Sequence, residues 1–197
     1  ATHPLFTIIE QDRTNAFVQT FLRQYQQGDL LPVWELAANE TYCMIGYHSA
    51  PVIADAYMKG IRDFDAELAL EAMVNSANQD HFGLEFYKKN SYISAGEESE
   101  SVSKTLEYAY DDFTIWQLAK ALKRPASEIA LYEKRMLNYR NLFDPETKLM
   151  RGKLKNGNFQ APFNPFKWGD AFTEGNSWHY SWSVFHDIKG LIILMGG

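Results

Sequence analysis

The sequence predicts an all-α fold, a barrel of antiparallel helix pairs with long decorated connections and one small β-hairpin near residues 147–160. Three observations carry this expectation. Apolar residues recur at three- and four-residue spacings along most of the chain. Cap and turn residues separate successive helical stretches by only a few positions, which sets neighbours antiparallel. No sequence repeat of about 34 residues announces an open solenoid. Aromatic and acidic residues gather where helices begin, which is where a toroid of inner and outer helices places its cleft.

The elements follow in order. From Asp12 to Gln27 the residues Phe17, Val18, Phe21, Leu22 and Tyr25 make one helical stripe, and Gly28 stands where a C-capping glycine belongs. Ser49-Ala50-Pro51 supplies an N-cap and a first-turn proline for a helix over Val52 to Lys59, closed by Gly60. Asp65 is the expected N-cap of Ala66 to Asn78, whose inner residues are Leu68, Leu70, Ala72 and Met73. Between Gln79 and Glu100 the pattern weakens to one short helical piece and a polar loop, AGEESES. The longest helix runs from Ser103 to Lys123 and ends at Pro125; another opens at Pro125 or Ser127 and reaches about Phe143. The turn clusters Asp144-Pro145-Glu146-Thr147 and Lys155-Asn156-Gly157-Asn158 flank Leu149 to Leu154 and make the hairpin. No other stretch reads as strand.

Composition narrows the function. With 197 residues the chain can bury a core without metal or disulfide staples, and 46% apolar and 15% aromatic residues exclude a disordered segment. The net charge of −6, with lysines and arginines scattered, lacks the basic stripe that nucleic acid requires. No run approaches the roughly 18 apolar residues of a membrane span. The start, ATHPLFTIIE, has neither the basic beginning nor the apolar core of a signal peptide. A single cysteine, Cys43, excludes an internal disulfide and a cysteine-based metal cluster. The first residue is not Met and the end, GLIILMGG, is apolar, so the sequence reads as a segment of a longer polypeptide.

Three constellations could carry chemistry. In the first, Asn39, Glu40 and His48 lie just before a helix start, where free N–H groups and the positive dipole end suit anionic or hydroxyl-rich ligands. Simple helix capping by His48 and Ser49 accounts for the same residues. In the second, Lys104, Glu107 and Asp111 share a helix face among Tyr108, Tyr110 and Phe113, and a buried structural ion pair is the simplest reading. The third is FTEGNSWHYSW, Phe172 to Trp182, continued by Val184-Phe185-His186-Asp187. A carboxylate among tryptophans is partly desolvated and can hold a proton near neutrality, as a general acid must. Aromatic faces stack on sugar rings, and Asn and His hydrogen-bond hydroxyls. On spacing alone, a helix N-capped by Thr173, with Glu174 in its first turn and a buried Trp178–Trp182 ridge, is the favoured reading.

The segments VWELAANETYCMIGYHSAPVIADAYMKGIRDFD, SVSKTLEYAYDDFTIWQLAK and FTEGNSWHYSWSVFHDIKGLIILMGG resemble, in the same order, signature segments of glycoside hydrolase family 92, the calcium-dependent exo-acting α-mannosidases. The resemblance implies an (α/α)6 catalytic barrel preceded by a β-sandwich, with this chain as the middle portion of the barrel, 1–197 forming one segment. It implies inverting hydrolysis of terminal mannose from N-glycan-type glycans, α-1,2 linkages being the expected target. Glu174, in the EGN-Trp motif, would be the general acid, and Asn176, Trp178, His48 and Asp55 would lie near the cleft as substrate-binding residues.

By the same resemblance calcium is the expected cofactor, with its ligands mostly outside this segment. Mannose-containing glycans and the rest of the polypeptide are the expected partners, and the periplasm or the exterior of a bacterium is the expected location. A Trp-Asp-Thr segment would precede Ala1; the mannose contacts and the base aspartates would follow Gly197. The isolated segment is therefore expected to be inactive. The chain departs from the family at His179, where glutamine is usual, and at Phe185, where proline is frequent. The competing readings are a metal-free (α/α)6 glycosidase and a non-catalytic carbohydrate-binding helical scaffold.

Overall fold

The computed structural model describes residues 2–197. They are mostly helical and divide into two compact units. One comprises the chain up to Asn78 together with Asp111–Glu133, the other Gln79–Tyr110 together with Lys134–Gly197.

In the first unit α1 (Thr2–Ile9) and α2 (Gln11–Gly28) lead into a two-residue hairpin, β1 (Glu35–Leu36) against β2 (Asn39–Glu40). Then come α3 (Ser49–Met58) and α4 (Ala66–Asn78). Of the stripe expected in α2, Val18 and Leu22 are buried, and Thr14, one turn earlier and outside the expected stripe, is buried with them. Gly28 is the last helical residue and Asp29 takes the left-handed cap position at φ 56°, its N–H donating to the Tyr25 carbonyl. Aspartate tolerates that conformation because its short polar side chain can bond locally. Helices α3 and α4 form the expected pair, both with alanine-rich buried faces: Ala50, Ile53, Ala54 and Ala56 on one, Ala69, Ala72, Met73 and Ala77 on the other. The Asp65 carboxylate accepts the N–H of Leu68 at 3.0 Å, as an N-cap should.

The second unit holds α5 (Leu84–Asn90), then a 3₁₀ turn (Asn138–Leu142) running into β3 (Phe143–Asp144), β4 (Leu149–Met150), the one-turn α8 (Ser177–Tyr180) and α9 (Ile188–Met195). Helix α6 (Ser101–Ala121) gives its first half to this unit and its second half to the other. Its inner residues Val102, Leu106 and Ala109 pack with Tyr139, Leu142, Met150, Phe172, Val184 and Leu191 in one buried cluster. The expected hairpin is present but starts earlier. Phe143 pairs with Met150 and Asp144 with Leu149, and a single bridge, Lys153 to Phe159, closes the second turn. The Asp144 carboxylate, which accepts from Thr147 Oγ1 and from Arg151, fixes the first turn.

Two expectations are corrected. The helix after Pro125 is α7 (Ala126–Arg135) and stops before the 3₁₀ turn instead of reaching Phe143. A second strand pair, β1–β2, exists where none was read. Its turn is made by Ala37 and Ala38 at φ 52° and 63°, and alanine gives no signal of that conformation.

Candidate active site

Glu174 lies in a turn clamped at both ends. On one side the first turn of α6 holds it. The Glu100 N–H donates to the Asp170 carbonyl at 3.0 Å, the Val102 N–H to the Ala171 carbonyl at 3.0 Å, and Ser103 Oγ accepts the Thr173 N–H at 2.8 Å. On the other side β4 holds α8: Ser177 Oγ donates to the Met150 carbonyl at 2.5 Å, and the Met150 N–H donates to Ser181 Oγ at 2.8 Å. Between these anchors Glu174 takes a left-handed backbone at φ 45°. Such a conformation costs about 1–2 kcal/mol in a residue with a Cβ and persists only where the surroundings impose it.

The N-cap is Asn176, not Thr173. Its Oδ1 accepts the His179 N–H at 3.3 Å and its own N–H donates to His179 Nδ1 at 3.2 Å, a reciprocal capping box. Glu174 therefore precedes the helix instead of standing in its first turn, and the helix is only one turn long. Trp178 and Trp182 are exposed, not a buried ridge, and Glu174 is itself exposed, without the desolvated setting expected of it.

The turn forms one wall of an open cavity of about 580 Å³, lined by Glu98, Ser99, Glu100, Asp170, Phe172 and Glu174 among others. Three of its four carboxylates are matched by lysines. The buried Lys104 ammonium lies 2.6 Å from Glu98 and 3.9 Å from Glu100, and Lys167 lies 2.8 Å from Asp170. Among the described residues Glu174 alone of the four has no cation against it. A neighbouring ammonium favours carboxylate over carboxylic acid, so a proton donor is better placed without one.

An exposed aromatic surface continues from the same turn. The loop carrying Phe166 and Trp168 is fastened to it by the Gly169 N–H, which donates to the Gly175 carbonyl at 2.9 Å. Phe166 meets Trp178 with ring centroids 6.2 Å apart, and Trp168 meets the His179 ring edge-on at 5.8 Å. Phe166 is 71% and Trp178 44% exposed, so both present ring surface outward.

Of the residues expected in the site, Glu174, Asn176 and Trp178 share this turn and its helix. His48 and Asp55 belong to the other unit. His48 precedes α3 without capping it through its side chain; its Nδ1 lies 2.9 Å from Oδ1 of the wholly buried Asp111, whose other oxygen accepts the Tyr47 N–H at 2.7 Å. Tyr47 Oη donates to the equally buried Asp112 at 2.7 Å. Ser49 Oγ donates to the Pro32 carbonyl, so neither His48 nor Ser49 performs the capping that the sequence allowed. Asp55 is in an i,i+4 ion pair with Lys59 at 2.8 Å, which also reaches Thr7 Oγ1. Asn39 and Glu40 form β2, and Glu40 spends its carboxylate on the N–H groups of Val33, Trp34, Thr41 and Tyr42. Sequence reasoning missed Phe166 and the Lys104–Glu98 pair, since neither has a spacing tied to the EGN motif.

The catalytic-domain model of glycosyl hydrolase family 92 matches residues 1–197. The chain belongs to this family. Among solved structures, it superposes on an inverting family 92 mannosidase from Bacteroides thetaiotaomicron with TM-score 0.95 and 40% identity, covering 100% of this chain and 28% of that one. It superposes equally on a family 92 α-mannosidase of the same organism solved with mannoimidazole, with TM-score 0.95 and 38% identity, covering 100% of this chain and 27% of that one. An uncharacterized secreted glycosidase of Arthroderma benhamiae is 30% identical over 89% of this chain and 28% of its own length. The family 92 chain thus spans about 28% of the length of these relatives, and its paired helices are consistent with part of an (α/α) barrel.

Calcium needs a converging set of oxygen ligands. Among the described residues no group of three or more His, Cys, Asp or Glu side chains is placed to hold a metal ion, so the residues of this family 92 chain do not by themselves fit the cofactor expected of it. Among the described residues, no helix is long and apolar enough to cross a membrane.

Proposed function

We propose that this chain supplies the general acid of an inverting, exo-acting α-mannosidase, and that the acid is Glu174. The observation that carries the reading is that Glu174, alone among the carboxylates of its cavity, has no cation against it, in a turn fixed at both ends. In single-step inversion one carboxylic acid protonates the glycosidic oxygen while a second carboxylate draws a proton from water on the opposite face. Glu174 Oε performs the first task. The base, and the contacts that hold the terminal mannose, belong to other parts of the full-length enzyme. Calcium is proposed to be held there too.

The exposed faces of Trp178 and Phe166 offer apolar area to a sugar ring, and Asn176 stands beside them on the same turn. The substrate class is mannose-terminated glycans of the N-glycan type, with α-1,2 linkages the first to test; His48 and Asp55 are proposed as further substrate-binding residues. The working compartment is proposed to be the periplasm or the exterior of the cell, a reading supported by the secreted relative.

The test is the full-length enzyme on an α-1,2-mannobioside, with the anomeric form of the first product followed by NMR. Release of β-mannose supports the proposal. Release of α-mannose removes inversion from it, and no release of mannose removes the activity.

A further inference from the structure

The residue opposite Asn176 in the capping box is normally a glutamate or glutamine, whose side chain can accept the N-cap N–H over the whole range above its acid limit. Here it is His179, and the atom accepting the Asn176 N–H is Nδ1, at 3.2 Å. An imidazole nitrogen accepts a hydrogen bond only when it carries no proton, so this bond requires the neutral tautomer with hydrogen on Nε2. Protonating the ring puts a donor where the box needs an acceptor, and the bond becomes a repulsion between two N–H groups.

The box adjoins the acid. Gly175 separates Asn176 from Glu174, and a Cβ at Gly175 would lie 3.3 Å from His179 Nδ1 and 3.2 Å from the Tyr180 ring, so the box closes tightly over that residue. The imidazole also meets the Trp168 ring, with centroids 5.8 Å apart and planes at 81°. The charged groups on the segments packed against it are Glu174 on its own turn and the Lys167–Asp170 pair on the loop that carries Trp168.

We infer that His179 is a positioning residue for the general acid: its neutral ring closes the turn that aims Glu174, and its protonation opens that turn. The inference rests on the role proposed above for Glu174. A ring that has taken up a proton cannot accept the Asn176 N–H, so the enzyme loses aim as His179 becomes charged. The loss falls on kcat, since the acid acts in the transition state. It spares substrates whose leaving group needs no proton.

The experiment compares the full-length wild type with His179→Gln and His179→Ala on an α-mannobioside and on a dinitrophenyl α-mannoside. Glutamine restores a box with no titrating member. The ratio of kcat, His179→Gln over wild type, is expected to rise roughly fivefold on the mannobioside between about pH 8 and about pH 5.5, the size expected from one lost cap, and to stay flat on the aryl substrate. His179→Ala should be low on the mannobioside at both pH values. A ratio that does not change with pH, or an equal change on both substrates, overturns the inference. The ¹⁵N shift of His179 Nδ1 in the full-length protein at about pH 8 gives a reading independent of catalysis: an unprotonated Nδ1 agrees with the box, a protonated one contradicts it. Should the wild type release no mannose, the functional proposal fails, while the ¹⁵N result still decides the box.

Discussion

Asp111 Oδ1 lies 2.9 Å from His48 Nδ1, with the aspartate wholly buried and the histidine side chain 40% exposed. Burial of a carboxylate is costly unless it is paired and hydrogen-bonded, and here the Tyr47 N–H occupies the other oxygen. The residue that ties Tyr47 and His48 down is thus on α6, far along the chain. Removing the buried partner strands the groups that donate to it. Asp111→Ala is expected to cost about 3 kcal/mol of stability and His48→Ala about 1 kcal/mol. Thermal unfolding of the full-length protein checks the order of the two; a larger loss for His48→Ala would contradict it.

Trp178 and Phe166 expose ring surface beside the acid turn. If they carry a sugar, Trp178→Ala should raise KM for a mannobioside by about tenfold, the worth of one aromatic face at about 1–1.5 kcal/mol, with little change in the unfolding temperature. Steady-state kinetics and a melting curve on the same preparation check it. A lowered melting temperature with an unchanged KM would make the pair a covered packing surface.

Asp187 caps α9 by accepting the Gly190 N–H at 2.9 Å and also accepts from Tyr139 Oη at 2.7 Å and Arg140 at 2.8 Å. Burial alone would raise its carboxyl, but those three donors outweigh it and hold it below the usual carboxylate range, while burial and this aspartate push the Tyr139 phenol up to about 12. A carboxylate with a depressed value stabilises the fold above its unfolded pKa and loses that contribution as pH falls through the folded one. Asp187→Ala should cost about 2 kcal/mol near neutrality, one cap plus one stranded hydroxyl, and Asp187→Asn less. Denaturant titration of the full-length protein should show this ranking.

His186 loses stability in the same direction of pH from a different cause. Burial lowers its pKa, and its Nε2 lies 2.7 Å from the Met136 carbonyl, so the neutral ring donates there. Its stability contribution is complete above the unfolded value, about 6.5, and is lost as pH falls below it toward the folded one. The melting temperature should therefore drop between about pH 7 and about pH 5, and the drop should be shallower in His186→Asn. Equal slopes in the two proteins would contradict the assignment.

Much of the fold was legible because long helices advertise themselves by period. The stripe of α2, the Asp65 cap and the α3–α4 pairing all rest on local rules that the structure obeys. What escaped depends on tertiary contacts. Ala37 and Ala38 adopt left-handed turns in a hairpin whose flanking N–H groups are gathered by Glu40, and nothing in two alanines forecasts that. The candidate site was legible as a motif but not as a geometry. Spacing placed Thr173 at the cap and Glu174 in a helix, whereas Ser103 claims the Thr173 N–H from 70 residues away and leaves the cap to Asn176. That Glu174 has no cation against it could be seen only once Lys104 and Lys167 were located.

The central claim is that Glu174 donates the proton. The most direct measurement is kcat/KM of Glu174→Gln in the full-length enzyme on two substrates, an α-mannobioside and a dinitrophenyl α-mannoside. General acid catalysis contributes roughly 10²–10⁴-fold, so the mannobioside should lose about that much while the aryl substrate, whose leaving group departs without protonation, loses far less. Unchanged turnover of the mannobioside, or an equal loss on both substrates, would contradict the assignment.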